Sequence, residues 1–462
     1  MVVLGSSAHF HATAPGLFVG IDLGTSGLRL VAVDGSGLAV ATASQTWPVA
    51  ASEQDPAQWL ASLEKLWKPL IRELPGPVLA VSATSTSGTV LPTDCKGRPI
   101  ASAWLYSDRR GSELGARFGI PAGWGLSRWL WWQLQGSTDC RLTHPSDYLL
   151  TALGAKVGWT DHTCALKSGY DPAAGKWSLA LAAGVPAAQL PAVVRPGTVV
   201  GTLAPEWGLG SGVKLVAGCT DGVAGQIASG ALAVGQVCLS LGSTLIFKGV
   251  SEAKIASADG AVYSHLHPDG RLWLPGAASA CGGAILEKFY PREQWEELNG
   301  CAEALNRPTG QTAYPLATPG ERFPRSGADF AGGLPDVPTE DPHFYAGLLE
   351  GVAFVERLGL ERLMALGMPV QGALLCVGGG THSEVWLRIR AAVLGRELQL
   401  PAQVQPALGA AILAAAGVWG VGVAQAAARM VRLDRQILPD AALAAAYEAV
   451  YRRFLERWGG AG

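Results

Sequence analysis

The chain alternates short apolar runs with polar turns. Leu17-Phe18-Val19-Gly20-Ile21 is the first run and Leu30-Val31-Ala32-Val33 the second, with Asp22-Leu23-Gly24-Thr25-Ser26-Gly27 between them. Runs this short, bounded by Gly and hydroxyl residues, predict strand, tight turn and strand. Trp59, Leu60, Leu63, Leu66 and Trp67 then recur at the spacing of one helix face. A strand over residues 78–81 follows and runs into the polar loop Thr84-Ser85-Thr86-Ser87-Gly88-Thr89. Residues 126–134 form a helix whose three tryptophans read as core. A second unit starts near residue 213: strand 213–217, the turn Gly218-Cys219-Thr220-Asp221-Gly222, and a short helix over 223–231. Strands at 236–240 and 245–250 flank Leu241-Gly242-Ser243-Thr244. This repeats the layout of the first hairpin and predicts an internal pseudo-repeat whose second half begins near Val234. Residues 374–377 give a strand, Gly378-Gly379-Gly380-Thr381 a loop, and Val385, Trp386, Ile389 and Val393 a helix face. A terminal helix is expected over 442–458.

One stretch departs from this rhythm. Residues 407–428 carry no charge, which meets the length test for a membrane span. The stretch is mostly Ala, is broken by Gly409, Gly417, Gly420 and Gly422, and has Gln425 near its end. A tightly packed buried helix from Leu408 to about Ala416, followed by a Gly-rich turn, is the expectation.

Composition narrows the class. The 462 residues are 49% hydrophobic and 16% charged, which describes a globular chain of two or three domains. A net charge of −2 without a basic stripe argues against nucleic acid as a partner. The eight cysteines include no C-x-x-C pair and read as buried free thiols. The pairs His9/His11 and His265/His267 have no further ligand at zinc-finger spacing and read as non-ligand histidines. Residues 1–16 lack the charged and apolar regions of a signal peptide and are expected to form a flexible tail.

Candidate chemistry centres on Asp22. Backbone N–H groups and hydroxyls of a Gly/Thr/Ser turn suit phosphate oxygens. A carboxylate beside them repels phosphate unless a divalent cation lies between. Mg-nucleotide chemistry without a helix-starting P-loop satisfies both, although the turn alone also fits a plain hairpin with an Asx turn. The strand–GGG–helix order adds a place where backbone approaches a ligand closely.

Three Gly/hydroxyl loops after apolar strands, in two similar halves, match the layout of an actin-like ATPase. The segments Asp22–Ser26, Gly218–Asp221, Leu241–Thr244, Cys281–Gly283, Gly347–Gly351, Gly378–Gly380 and Ala407–Ala411, in this order, resemble the FGGY carbohydrate kinases. Thr86–Val90, Tyr106–Asp108, Ala165–Tyr170 and Glu321–Pro324 resemble the plant and cyanobacterial D-ribulokinase branch, also termed xylulose kinase-like. The resemblance implies an α/β fold of two actin-like, ribonuclease H-like domains with a cleft between them. Residues 17–233 would bind sugar and carry the catalytic Asp; residues 234–462 would bind ATP and end in the terminal helix.

The same resemblance implies the roles. Asp221 would be the general base, Ser87 would bind the sugar, and Asp22 would hold Mg²⁺ beside the substrate. Thr25, Ser26, Gly242, Ser243, Thr244, Gly282, Gly283, Gly378, Gly379 and Gly380 would face the nucleotide. The implied reaction is ATP-dependent phosphorylation of a ketopentose, D-ribulose first, with D-xylulose or a polyol as alternatives. A non-catalytic regulator on the same fold is the competing class, since fold alone does not assign function. Expected partners are a small sugar and ATP, in a cytoplasmic or plastid monomer or homodimer, without nucleic acid or membrane. Departures from the family pattern include Thr84-Ser85 for an acidic or amide residue, Arg128 for Lys, and Ala280 for Asn. Thr381-His382-Ser383-Glu384 also departs from the third-loop pattern.

Overall fold

The computed structural model describes residues 2–3, 16–136 and 139–460. The tail expected at residues 1–16, with His9 and His11, lies almost wholly outside the described residues. Leu17–Gly24 is central in a seven-stranded sheet ordered Val2–Val3, Ala39–Thr46, Gly27–Val33, Leu17–Gly24, Val78–Ser85, Lys214–Val216 and Val199–Thr202. It pairs antiparallel with Gly27–Val33 and parallel with Val78–Ser85. A strand buried on both faces loses polar alternation, which is why it read as one apolar run.

The two faces are covered by different helices. Val19, Ile21 and Leu23 share a core with Trp59, Leu63, Leu66 and Trp67 of the helix Pro56–Arg72. On the opposite face Phe18 meets the ring of Trp419 at 5.2 Å, and Gly20 lies against the helix Pro406–Trp419. A methyl on Gly20 would stand 1.8 Å from the Ala407 carbonyl oxygen, and one on Gly409 2.0 Å from that of Ala224. Only glycine permits this backbone approach. The uncharged stretch is therefore a core helix, as expected. It runs to Trp419, and after a turn the chain forms Val423–Met430, bent by 117° from it. No single helix among the described residues is long and apolar enough to cross a membrane.

The second sheet is ordered Tyr263–Leu266, Trp273–Ser279, Leu245–Gly249, Val237–Leu241, Leu374–Val377, Leu398–Pro401 and Leu433–Ile437. Val237–Leu241 again pairs antiparallel with the next strand and parallel with a later one, Leu374–Val377. The two sheets thus repeat one core pattern, the two-domain actin-like ATPase fold. The helix Pro342–Ala365 supplies much of the second core, with Leu348, Val352, Phe354 and Leu358 buried beside Phe247 and Tyr451.

The chain divides into two compact units. The first holds Met1–Gly230, His265–Gly270 and Gln403–Val431; the second holds Ala231–Ser264, Arg271–Ala402 and Arg432–Gly462. The division near 230 lies close to the bound at 233/234 read from the sequence. The single C-terminal block 234–462 is not matched, because Gln403–Val431 returns to the first unit, where Gly20 and Gly409 allow it to pack. Six of the eight cysteines are buried, while Cys95 and Cys301 are exposed.

Candidate active site

In the first unit the site residues gather at the carboxyl ends of parallel strands, the usual ligand edge of such a sheet. Asp22 is paired in register with Thr84, and Leu23 with Ser85. Ser85 forms a parallel bridge with Thr220. Ser87 and Asp221 therefore leave neighbouring strand ends beside Asp22. Thr84 Oγ1 donates to the Cys219 carbonyl at 2.6 Å, and the Thr220 N–H to Thr163 Oγ1 at 3.0 Å, so the segment before Asp221 is held on both sides.

Asp221 does not sit in a loop, as the turn 218–222 suggested. It is the first residue of the helix Asp221–Ser229, and its Oδ1 accepts from the Gly222 N–H at 2.6 Å. A helix N-terminus favours the ionised carboxylate. Asp22 is buried, and its pKa is raised to about 6: loss of hydration is the main cause and repulsion from Asp221 adds to it. Arg29 acts the other way, with Nη1 3.5 Å from Asp22 Oδ2. A divalent cation beside Asp22 would offset both the lost hydration and the repulsion from Asp221, so the buried carboxylate is compatible with Mg²⁺.

Thr25 and Ser26 form the turn between Gly24 and Gly27, which pair with each other. The Thr25 carbonyl accepts from Gln54 Nε2 at 2.7 Å and Trp47 Nε1 at 3.1 Å, and the Ser26 carbonyl from the Trp47 N–H at 3.0 Å. Trp59 Nε1 in turn donates to Gln54 Oε1 at 3.2 Å. The sequence reading missed these supports. Gln54 precedes the Asp55 N-cap and Pro56, a legible helix start, but nothing in that signal shows where its amide goes. Ser87 Oγ is buried and has no hydrogen-bond partner among the described residues, which suits a ligand hydroxyl.

In the second unit a cavity of about 820 Å³ brings together Gly242, Ser243, Gly283, Gly379 and Gly380. Nothing stands within 4 Å of where a Cβ would be on Gly242 or Gly379, so these loops leave room for phosphate beside bare backbone. Gly282 and Gly378 have another task. A Cβ on Gly282 would meet Ser243 O at 2.6 Å, and one on Gly378 would meet Leu241 O at 2.5 Å. They let the loops nest, and neither they nor Thr244 line the cavity. Trp295, Asn299, His382 and Ser383 do line it and were not read as site residues from the sequence. The Gly378–Gly380 loop continues as a 3₁₀ turn, Gly379–His382, before the helix Glu384–Leu394. The amide oxygen of Asn299 accepts from Tyr345 Oη and Ser383 Oγ, both at 3.0 Å.

Residues 237–418 match the C-terminal domain of the FGGY family of carbohydrate kinases. This segment is similar to that family. A xylulose kinase from Escherichia coli strain K12 is 27% identical over 478 residues, covering 94% of this chain and 96% of the relative. One from Streptomyces coelicolor is 28% identical over 448 residues, covering 89% and 90%. Among solved structures, a "xyloylose kinase" from Brucella ovis superposes with a TM-score of 0.86 at 25% identity, covering 96% of this chain and 99% of that one. A glycerol kinase from Plasmodium falciparum with ADP has the same fold, with a TM-score of 0.83 at 17% identity and coverage of 97% and 99%. The FGGY match by itself spans mainly the second unit, while these relatives align over nearly the whole chain.

Proposed function

We propose that the protein transfers the γ-phosphoryl group of ATP to a hydroxyl of a ketopentose, with D-xylulose the first substrate to test and D-ribulose the second. The observation that carries this reading is Asp221, a carboxylate at a helix N-terminus beside the buried Asp22 and the unpartnered Ser87 hydroxyl. The relatives named xylulose kinases favour D-xylulose. The ribulokinase-like segments around Ser87 and Tyr106 keep D-ribulose in view.

In this reading Ser87 orients the sugar and Asp221 takes the proton of the attacking hydroxyl. The new O–P bond forms as the bond to the β-phosphate oxygen breaks, leaving ADP. An ordinary carboxylate is ionised at neutral pH and accepts the proton as transfer proceeds. Asp22 would hold Mg²⁺, which when bound neutralises charge on the phosphates. In the second unit Ser243 and Gly379 would offer hydroxyl and N–H donors to phosphate, and Asn299 and Ser383, which line the same cavity, would offer polar groups to the rest of the nucleotide.

The test is ATP-coupled phosphorylation across D-xylulose, D-ribulose, other pentuloses and glycerol. One ketopentose should exceed the rest in kcat/KM by at least tenfold. If no sugar raises ADP release above the background ATPase rate, the kinase reading fails, and a non-catalytic binding protein becomes the better account.

A further inference from the structure

The sugar-side loops converge on a buried cation that has no role in the chemistry above. Arg128, in the helix Gly125–Gln133, is fully buried, yet among the described residues no carboxylate hydrogen-bonds its guanidinium. Its Nη1 donates to the carbonyls of Asp108 and Ala122, each at 3.1 Å. Its Nη2 donates to those of Gly88 at 2.6 Å and Gly123 at 3.3 Å. One planar fork thus ties together three loops. The first follows Ser87, the second contains Tyr106 and Asp108, and the third contains Ala122 and Gly123.

The packing around Gly88 is tight. Its φ is +84°, and a Cβ there would meet Gly123 O at 2.8 Å, the Lys167 side chain at 3.4 Å and that of Tyr106 at 3.6 Å. The Leu126 N–H donates to the Lys167 carbonyl at 3.1 Å, drawing a fourth segment to the same helix start. Burial lowers the Arg128 pKa to about 10, so the charge is kept at neutral pH and is offset by carbonyl dipoles. The Asp108 carboxylate is turned to Arg110 instead, in a pair with both carboxylate oxygens engaged.

We infer that Arg128 is the positioning residue that sets the shape of the sugar pocket. By fixing the Gly88 carbonyl it fixes where Ser87 places its hydroxyl, and so which ketose fits. This rests on the kinase reading and adds a determinant of sugar choice to it. Lys, the residue of the family pattern at this position, would not reproduce this hold: it is a point charge with three donors on a flexible stem, and it lacks the planar fork that reaches four carbonyls in two directions.

The experiment compares wild type with Arg128→Lys and with Trp129→Phe as a neighbouring core control. Sugar KM, ATP KM and Tm are measured for each, with sugar binding by calorimetry. Arg128→Lys is expected to raise the sugar KM at least tenfold and weaken sugar binding to match, with ATP KM within twofold of wild type. Trp129→Phe should lower Tm without moving either KM. If Arg128→Lys lowers Tm but leaves sugar KM and binding within twofold, the residue is only structural and the inference is overturned. Should Arg128→Lys not fold, Arg110→Met serves: it frees the Asp108 carboxylate to pair with Arg128, and an unchanged sugar KM there equally overturns the inference. A wild-type protein that takes no sugar removes the kinase reading and this inference together. A wild type that takes a ketose beside an unaffected Arg128→Lys removes the inference alone.

Discussion

Asp221 and Asp22 have the same side chain and opposite surroundings. Asp221 starts a helix and is half-exposed; Asp22 is buried with a raised pKa. A helix start stabilises negative charge, whereas burial disfavours it. Asp221→Asn keeps the helix start but removes the proton acceptor. It is expected to lower kcat by at least a thousandfold, while nucleotide-induced thermal stabilisation stays within 1 °C of wild type. Full turnover by this variant would remove Asp221 as base. Asp22 stood out because it ends an apolar run, and Asp221 and Ser87 because they lie in polar turns that follow one. Arg128 and Gln54 were not: their partners are backbone carbonyls 20 and 40 residues or 29 residues away, and no sequence pattern reports a carbonyl's direction.

At the level of elements, close packing and buried charge dominate. The helix Pro406–Trp419 reaches the sheet only because Gly20 and Gly409 lack side chains. Gly409→Val is expected to destabilise the protein by about 2–4 kcal/mol, read as a lower midpoint in urea. Gly225→Ala, inside the helix Asp221–Ser229 with nothing within 4 Å of its Cβ, should instead be neutral or stabilising by up to about 1 kcal/mol. Equal effects would refute the packing account.

The helix Pro342–Ala365 holds a different case, Glu350. It is buried, accepts from the Thr309 N–H and hydroxyl and from Tyr447 Oη, and has its pKa raised from 4.5 to about 7 by lost hydration. The folded state therefore binds this proton more tightly than the unfolded state. Its contribution to stability is fully present below pH 4.5 and is lost as pH rises through 7. Tm measured between pH 5 and pH 8 should fall less in Glu350→Gln than in wild type; identical slopes would exclude Glu350 as the source. The element boundaries were read from sequence to within a few residues where apolar runs were clear. The strand at residues 78–81 was cut short, because its end, Ser82-Ala83-Thr84-Ser85, is polar yet buried beneath the site.

For the whole molecule, chain order and spatial order part company. Residues 17–230 contain all five of Asp22, Thr25, Ser26, Ser87 and Asp221, yet the first unit also needs Gln403–Val431. A fragment spanning 17–230 leaves the Gly20 face of its sheet uncovered and is expected to aggregate or melt without cooperativity. Fusing residues 403–431 to it should restore a cooperative melt by circular dichroism. If the shorter fragment melts cooperatively alone, the returning helix is dispensable.

The sequence by itself determined the repeated strand–turn–strand units, the three glycine loops and the two aspartates, because these depend on local periodicity and turn chemistry. It also determined that the uncharged stretch is a packed helix, since small residues signal close approach. Only the tertiary structure decided what that helix packs against, which glycines open the cavity and which merely let loops nest, and how Asp221 is presented. These depend on neighbours distant in sequence: Gly282 and Gly242 look alike along the chain, but only Gly282 has Thr244 backbone pressed against it. The hold on the Ser87 loop belongs to the same class, since Arg128 reaches the Gly88 carbonyl from forty residues away along the chain.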